Sequence, residues 1–146
     1  MPPSTTSLFP DINVWIALTY EGHAHHSNAA AWFATLSEDA TLAFCRFTQL
    51  GLLRLLTAEA VMSDEVMTQP QAWVAYDQWL QDPRVELVEE PAEIEIRFRA
   101  LTRLRHPATK DWADSYLAAF ATVGQLTLVT FDRTLRAKAK SAILLG

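Results

Sequence analysis

Five short β-type runs interleaved with segments of helical periodicity constrain this chain more than any single residue type. The runs fall at 8–9, 41–45, 85–88, 126–130 and 142–145. The helical segments fall at 12–19, 25–36, 48–57, 62–66, 71–81, 92–104, 111–122 and 132–140. Within 25–36, Ala29, Trp32, Phe33 and Leu36 recur at i, i+3, i+4 and i+7. Within 71–81, the same spacing places Trp73, Tyr76, Trp79 and Leu80 on one side. Strands alternating with helices of this length predict a mainly parallel sheet with helices on both faces. In such sheets ligands bind beyond the carboxyl ends of the strands, so the chemistry is sought in the residues just after each strand.

The 146 residues suit a single domain spanning 1–146. Half of them are apolar and a fifth charged, which excludes a disordered or fibrous chain. A chain of this length buries roughly two-thirds of its unfolded surface and needs no structural metal or disulfide. The lone Cys45 excludes an internal disulfide and a cysteine-based zinc site, and it suits a reducing cytoplasm. The opening MPPSTTSLFP lacks the basic start and apolar run of a secretory leader. No stretch approaches the ~18 apolar residues of a membrane span.

The net charge of −5 argues at first against a nucleic-acid partner, but its distribution reverses that. Residues 1–96 carry a net −11, whereas 97–146 carry a net +6 with only three carboxylates, Asp111, Asp114 and Asp132. An asymmetry of this size marks a candidate surface for a polyanion.

Asp11 directly follows the first strand, and Asp132 follows the strand at 126–130. Asp114 lies on the helix at 111–122, and Asp111 shares its face three residues earlier. Asp11 and Asp132 each also suit a helix N-cap. Carboxylates gathered at one sheet edge repel one another unless a cation or shared protons neutralise them. Oxygen ligands without His or Cys favour Mg²⁺ or Mn²⁺ over zinc. Such an ion beside basic residues suits phosphodiester hydrolysis.

Four elements in order, "PDINVWIAL", "TQLGLLRLLT", "DWADSYLAAFA" and "LVTFDR", resemble those of PIN domains, and closely those of VapC-type toxin ribonucleases. The resemblance implies a PIN-like three-layer α/β/α fold with a parallel five-stranded sheet. It also implies an acidic site binding Mg²⁺ or Mn²⁺ for endonucleolytic RNA cleavage. By position, Asp11, Asp114 and Asp132 match the family's metal-holding aspartates, and Thr130 matches a small hydroxyl residue supporting them. Asn13 would orient the first loop. The family usually places a glutamate on the helix after the second strand; the nearest match here is Gln49, which lines the site without charge. Asp111 is the candidate to compensate. The resemblance further implies a homodimer and a VapB-like antitoxin; an apolar groove lined by residues 29–36 and 50–56 would suit an antitoxin helix, and no membrane partner is expected.

Arg133, beside Asp132, is the preferred phosphate contact, and the run Arg97, Arg99, Arg103, Arg105, His106 and Lys110 supplies others. Part of that run is expected to pair with Glu93 and Glu95. His23, His25 and His26 read as the polar start of a helix rather than metal ligands. Arg54 suits a buried ion pair or an antitoxin contact, and Trp15, Trp32, Trp73 and Trp79 suit the core. The leading expectation is a metal-dependent endoribonuclease toxin. Alternatives are a catalytically weak or inactive RNA-binding module, because of Gln49, and a phosphoaspartate receiver. The receiver reading lacks an acidic partner at position 13 and a motif lysine.

Overall fold

A computed structural model describes residues 7–146, and the leader-free reading of the first six residues lies outside this range. The elements run β1 (Ser7–Pro10), α1 (Ile12–Thr19), α2 (His26–Ala34), β2 (Thr41–Phe44), α3 (Arg46–Leu56) and α4 (Glu59–Met62). They continue as α5 (Gln69–Leu80), β3 (Val85–Leu87), α6 (Ile94–Leu101), α7 (Asp111–Val123), β4 (Thr127–Thr130), α8 (Arg133–Lys138) and β5 (Ala142–Leu144). All five strands join one sheet in the order β3-β2-β1-β4-β5, and every pairing is parallel. The expected α/β/α layering with a five-stranded parallel sheet is therefore what forms. Among the described residues, no helix is long and apolar enough to cross a membrane.

The two faces of the sheet follow from period-two alternation along short apolar runs. Leu8, Leu42, Phe44 and Val129 point into one core with Trp15, Leu52, Leu56 and Tyr76, beneath α1, α2, α3 and α5. Phe9, Ala43, Cys45 and Leu128 point into the other with Leu117, Phe120 and Leu135, beneath α6, α7 and α8. A stacked aromatic pair anchors each layer: Trp15 on Phe44, with ring centroids 3.8 Å apart, and Phe9 on Phe120, 4.8 Å apart.

Three helical expectations shift. The segment 62–66 is not a helix of its own. The short α4 ends at Met62 and a 3-10 turn, Ser63–Glu65, follows, because Ser63 adopts a left-handed φ of 51° that breaks the helical path. The helix expected over 92–104 is trimmed to α6, since Glu93 precedes it at φ 67° and the chain leaves helical geometry at Thr102. On α5 the buried stripe passes through Ala72 and Tyr76, leaving Trp73 47% exposed, against the expectation that it faces the core, and Leu80 of the same side also exposed. Both stripes share Tyr76, and a small Ala72 reads weakly beside Trp73, so periodicity alone favoured the wrong rotation.

Trp73 instead lines a groove of about 530 Å³ with Ile12, Phe47, Leu50, Gly51, Leu53 and Arg54. This is the apolar groove expected from residues 50–56. Its other walls are α1 and α5, however, and residues 29–36 of α2 are not part of its lining. Leu50, on the same exposed side of α3 as Arg46 and Arg54, is 61% exposed at its rim.

Candidate active site

The sheet order places β2 on one side of β1 and β4 on the other, so successive connections run in opposite directions from β1. A switch of this kind opens a crevice at the carboxyl ends of the two strands. Asp11 and Asp132 stand at its two sides. The Asp11 amide donates to the Val129 carbonyl at 2.9 Å, which fixes the first loop to β4.

Asp11 serves both roles that its position allows. One carboxylate oxygen accepts the Val14 N–H at 2.9 Å and caps α1, while the other accepts the Thr130 hydroxyl at 2.5 Å. Only 4% of the residue is exposed. Burial pushes its carboxyl up to about 6, the bonds from Thr130 and Val14 oppose this, and the charge of Asp132 adds to it. The Thr130 hydroxyl also accepts the Asp132 N–H at 2.9 Å, so one side chain fixes both carboxylates.

Asp132 likewise caps its helix, accepting from Thr134 N–H at 2.8 Å and Leu135 N–H at 3.3 Å. Its second oxygen accepts from Lys110 Nζ at 3.3 Å. Burial raises this carboxyl, but the Leu135 and Thr134 amides and Lys110 outweigh it, leaving it below the ordinary value. Asp114 projects from the first turn of α7. Its carboxyl is pushed up first by burial and then by the charge of Asp132, against Lys110 and Lys138. The three aspartates thus sense one another through Asp132.

Asp111 faces elsewhere. It accepts from Lys138 Nζ at 2.6 Å and from the Ser115 hydroxyl at 3.2 Å, and the Lys138 bond holds its carboxyl below the usual range. Gln49 is buried at the start of α3, but its carbonyl is taken by Arg46 Nη1 at 2.6 Å rather than turned to an aspartate. Two residues on, Gly51 meets α1 so closely that a Cβ there would lie 2.3 Å from Ile12 Cδ1. The part of α3 packed against the residue after Asp11 therefore has no side chain. Neither Gly51 nor the pairing of Lys110 with Asp132 was singled out from the sequence. A glycine inside an apolar helix was the available signal for the first.

Asn13 and Arg133 are exposed in the first turns of α1 and α8. The Asn13 backbone N–H favours the charged form of Asp11. In the histidine segment, His26 Nδ1 lies 2.7 Å from the Ala17 carbonyl and His23 Nδ1 accepts the His25 N–H at 3.0 Å. The His25 ring stacks on Phe131, centroids 4.5 Å apart. Arg99 pairs with Glu95 at 3.0 Å, as expected for part of the basic run.

The donor set at the switch point consists of carboxylate oxygens, the chemistry of a hard divalent cation. Among the described residues, no three His, Cys, Asp or Glu side chains are drawn within reach of one ion. The caps hold Asp11 and Asp132 on their own helices, and Lys110 partly neutralises Asp132. The fit thus rests on donor chemistry and on the raised carboxyls of Asp11 and Asp114. The Arg46 contact leads to a specific expectation. Gln49→Glu alone will leave Mn²⁺ affinity within about twofold, because Arg46 will pair with the new carboxylate as a charge-assisted bond. Titration of both proteins by calorimetry checks this, and a gain of tenfold or more would place residue 49 among the ligands.

A profile of the PIN domain family matches residues 8–141. Ribonuclease VapC41 of Mycobacterium tuberculosis is 43% identical over 129 residues, covering 86% of this chain and 88% of that protein. Ribonuclease VapC38 of the same organism is 28% identical over 132 residues, covering 84% and 82%. Two solved structures share the fold. One is VapBC2 from Rickettsia felis bound to a promoter DNA fragment, with a TM-score of 0.69, 15% identity, and coverage of 96% of this chain and 99% of that one. The other is Mycobacterium tuberculosis VapC20, a sarcin-ricin loop cleaving toxin, with a TM-score of 0.66, 18% identity and coverage of 89% and 93%. A five-stranded parallel sheet, aspartates at its switch point and a family match over nearly the whole chain lead to one assignment: this chain belongs to the PIN domain family, with the VapC ribonucleases.

Proposed function

We propose that this chain is an endoribonuclease toxin that requires Mg²⁺ or Mn²⁺, acts in the cytoplasm and is restrained by a VapB-like antitoxin. The observation that carries the reading is the buried Asp11 and the half-buried Asp114, both repelled by the half-buried Asp132, beside Lys110. Two raised carboxyls at one crevice are stabilised in their charged forms by a cation. Asp11, Asp114 and Asp132 would hold that ion, and it would supply an activated water and charge stabilisation at the phosphate. Thr130 positions Asp11 and Asp132 relative to each other. Lys110 and Arg133 offer positive charge to the phosphate backbone, which fixes position without reading sequence. Asp111 holds Lys138 beside the site, Asn13 steadies the first loop, and Gln49 keeps Arg46 at the rim.

The VapBC complexes that share this fold support an antitoxin as partner, and the groove between α1, α3 and α5 offers an apolar seat for a helix. A homodimer is the proposed assembly of the toxin. The buried, unpaired Cys45 agrees with a reducing compartment. The neutral Gln49 held by Arg46 favours one second reading, an RNA-binding module that cuts weakly or not at all.

The test is incubation of purified, antitoxin-free protein with structured RNA in Mn²⁺ or in EDTA. Cleavage that needs the metal and disappears in Asp114→Asn supports the nuclease. RNA binding with no metal-dependent product supports the second reading.

A further inference from the structure

Residues 97–110 contain Arg97, Arg99, Arg103, Arg105, His106 and Lys110 and not one carboxylate. This basic stretch crosses from α6 to the start of α7 and ends at Lys110, which holds Asp132. Directly after it, at the second position of α7, stands Trp112, and 59% of this indole is exposed. An indole this exposed presents a flat apolar face with a polar N–H, the kind of side chain enriched where a protein meets a partner. Its one aromatic neighbour on α6, Phe98, meets it edge-on with centroids 6.1 Å apart, which steadies the ring without stacking over its face.

Trp112 is the wall shared by two adjoining hollows. One, of about 430 Å³, is bounded by Phe98, Arg99 and Thr102; the other, of about 130 Å³, by Leu104, His106 and Asp111. The carboxylates of both are already neutralised, Glu95 by Arg99 at 3.0 Å and Asp111 by Lys138 at 2.6 Å. The surface therefore combines a flat aromatic face with a cation-rich stretch that passes His106 in the smaller hollow and ends at Lys110 on Asp132. Single-stranded nucleic acid is bound by this combination, with bases stacked on aromatic rings and phosphates tracked by cations.

We propose that Trp112 is a base-stacking subsite for single-stranded RNA, with Arg103, Arg105 and His106 meeting the phosphates on either side. It deepens the ribonuclease reading, on which it rests for the direction in which the strand leads. A strand whose base rests on Trp112 has its next phosphates drawn along Lys110 toward Asp114 and Asp132. The basic residues explain affinity for RNA in general, whereas the indole sets which nucleotide is held unstacked beside the site.

The test separates binding from cutting. Affinity for fluorescein-labelled single-stranded RNA is measured in EDTA for the wild type, Trp112→Ala and Trp112→Phe. The oligonucleotides are identical except for one abasic position moved along the strand. Trp112→Ala is expected to weaken binding about 5- to 100-fold, and Trp112→Phe to retain most of it. One abasic position should weaken the wild type and leave Trp112→Ala unchanged. Ultraviolet cross-linking of the wild type should place a base adduct on Trp112, a readout independent of how the variants fold. Equal affinity of wild type and Trp112→Ala, or adducts only elsewhere, overturns the proposal. So does a Trp112→Ala that binds RNA normally but loses its dimer in light scattering, which would make the patch a protein interface. A chain that cuts no RNA yet shows the Trp112-dependent binding would sink the nuclease reading and leave this subsite standing.

Discussion

Asp11→Asn will act in opposite directions on activity and on stability. RNA cleavage in Mn²⁺ should fall about a thousandfold, since a metal ion supplies several kcal/mol at such a site and each ~1.4 kcal/mol is tenfold in rate. In EDTA at pH 7.5, the same substitution should raise the melting temperature. The wild-type carboxyl titrates at about 6 in the folded chain against 3.8 as its ordinary value, chiefly because burial disfavours its charge. With the folded value the higher, the native state binds more protons between pH 4 and 6. Stability is therefore lost as pH rises through that window and stays lower above it. The shift corresponds to on the order of 3 kcal/mol. Asparagine has no charge to bury, keeps an acceptor for the Val14 amide and retains the cap. Melting curves at pH 4 and 7.5 should show the variant's advantage only at the higher pH, at ~2–4 °C per kcal/mol. Saturating Mn²⁺ should narrow it by stabilising the wild type. A variant that melts below the wild type at pH 7.5 in EDTA would mean that the Asp11 charge is not a burden in the free protein.

Trp15→Ala should be the most damaging core substitution, lowering stability by about 3–5 kcal/mol. That is a large fraction of the ~5–15 kcal/mol typical of a domain. Trp15 is fully buried one turn beyond Asp11, stacked on Phe44 of β2 and edge-on to Trp79 of α5, with centroids 5.4 Å apart. Its loss opens a cavity where α1, the sheet and α5 meet, so the loop carrying Asp11 loosens as well. Trp15→Phe should be milder, because the buried indole N–H has no hydrogen-bond partner to lose. Urea denaturation of the three proteins checks the order. Equal losses for Ala and Phe would show that the N–H, not the volume, matters.

Asp11 and Asp132 were legible in the sequence because each sits at a position fixed by local structure. Asp11 and Asp132 directly precede helices, and the caps they make are bonds to residues two or three positions away. The same locality made the five strands readable from their alternation. The partners that tune the site were not legible. Lys110 reaches Asp132 across 22 positions, Thr130 reaches Asp11 across 119, and Lys138 reaches Asp111 only because α7 and α8 pack on one face of the sheet. Likewise, nothing local told which side of α5 was buried, whereas the bond from Arg46 to Gln49 spans only three positions of one helix.

By itself, then, the sequence determined the alternation of strands and helices, the parallel sheet and the three carboxylates at its strand ends and on α7. These depend on periodicity and on hydrogen bonds between near neighbours. Only the tertiary structure decided how those carboxylates are charged, which lysines face Asp114 and Asp132, which helix faces remain open and where Trp112 stands relative to the basic stretch. Burial and the approach of distant side chains set those properties, and both arise only when the chain has packed.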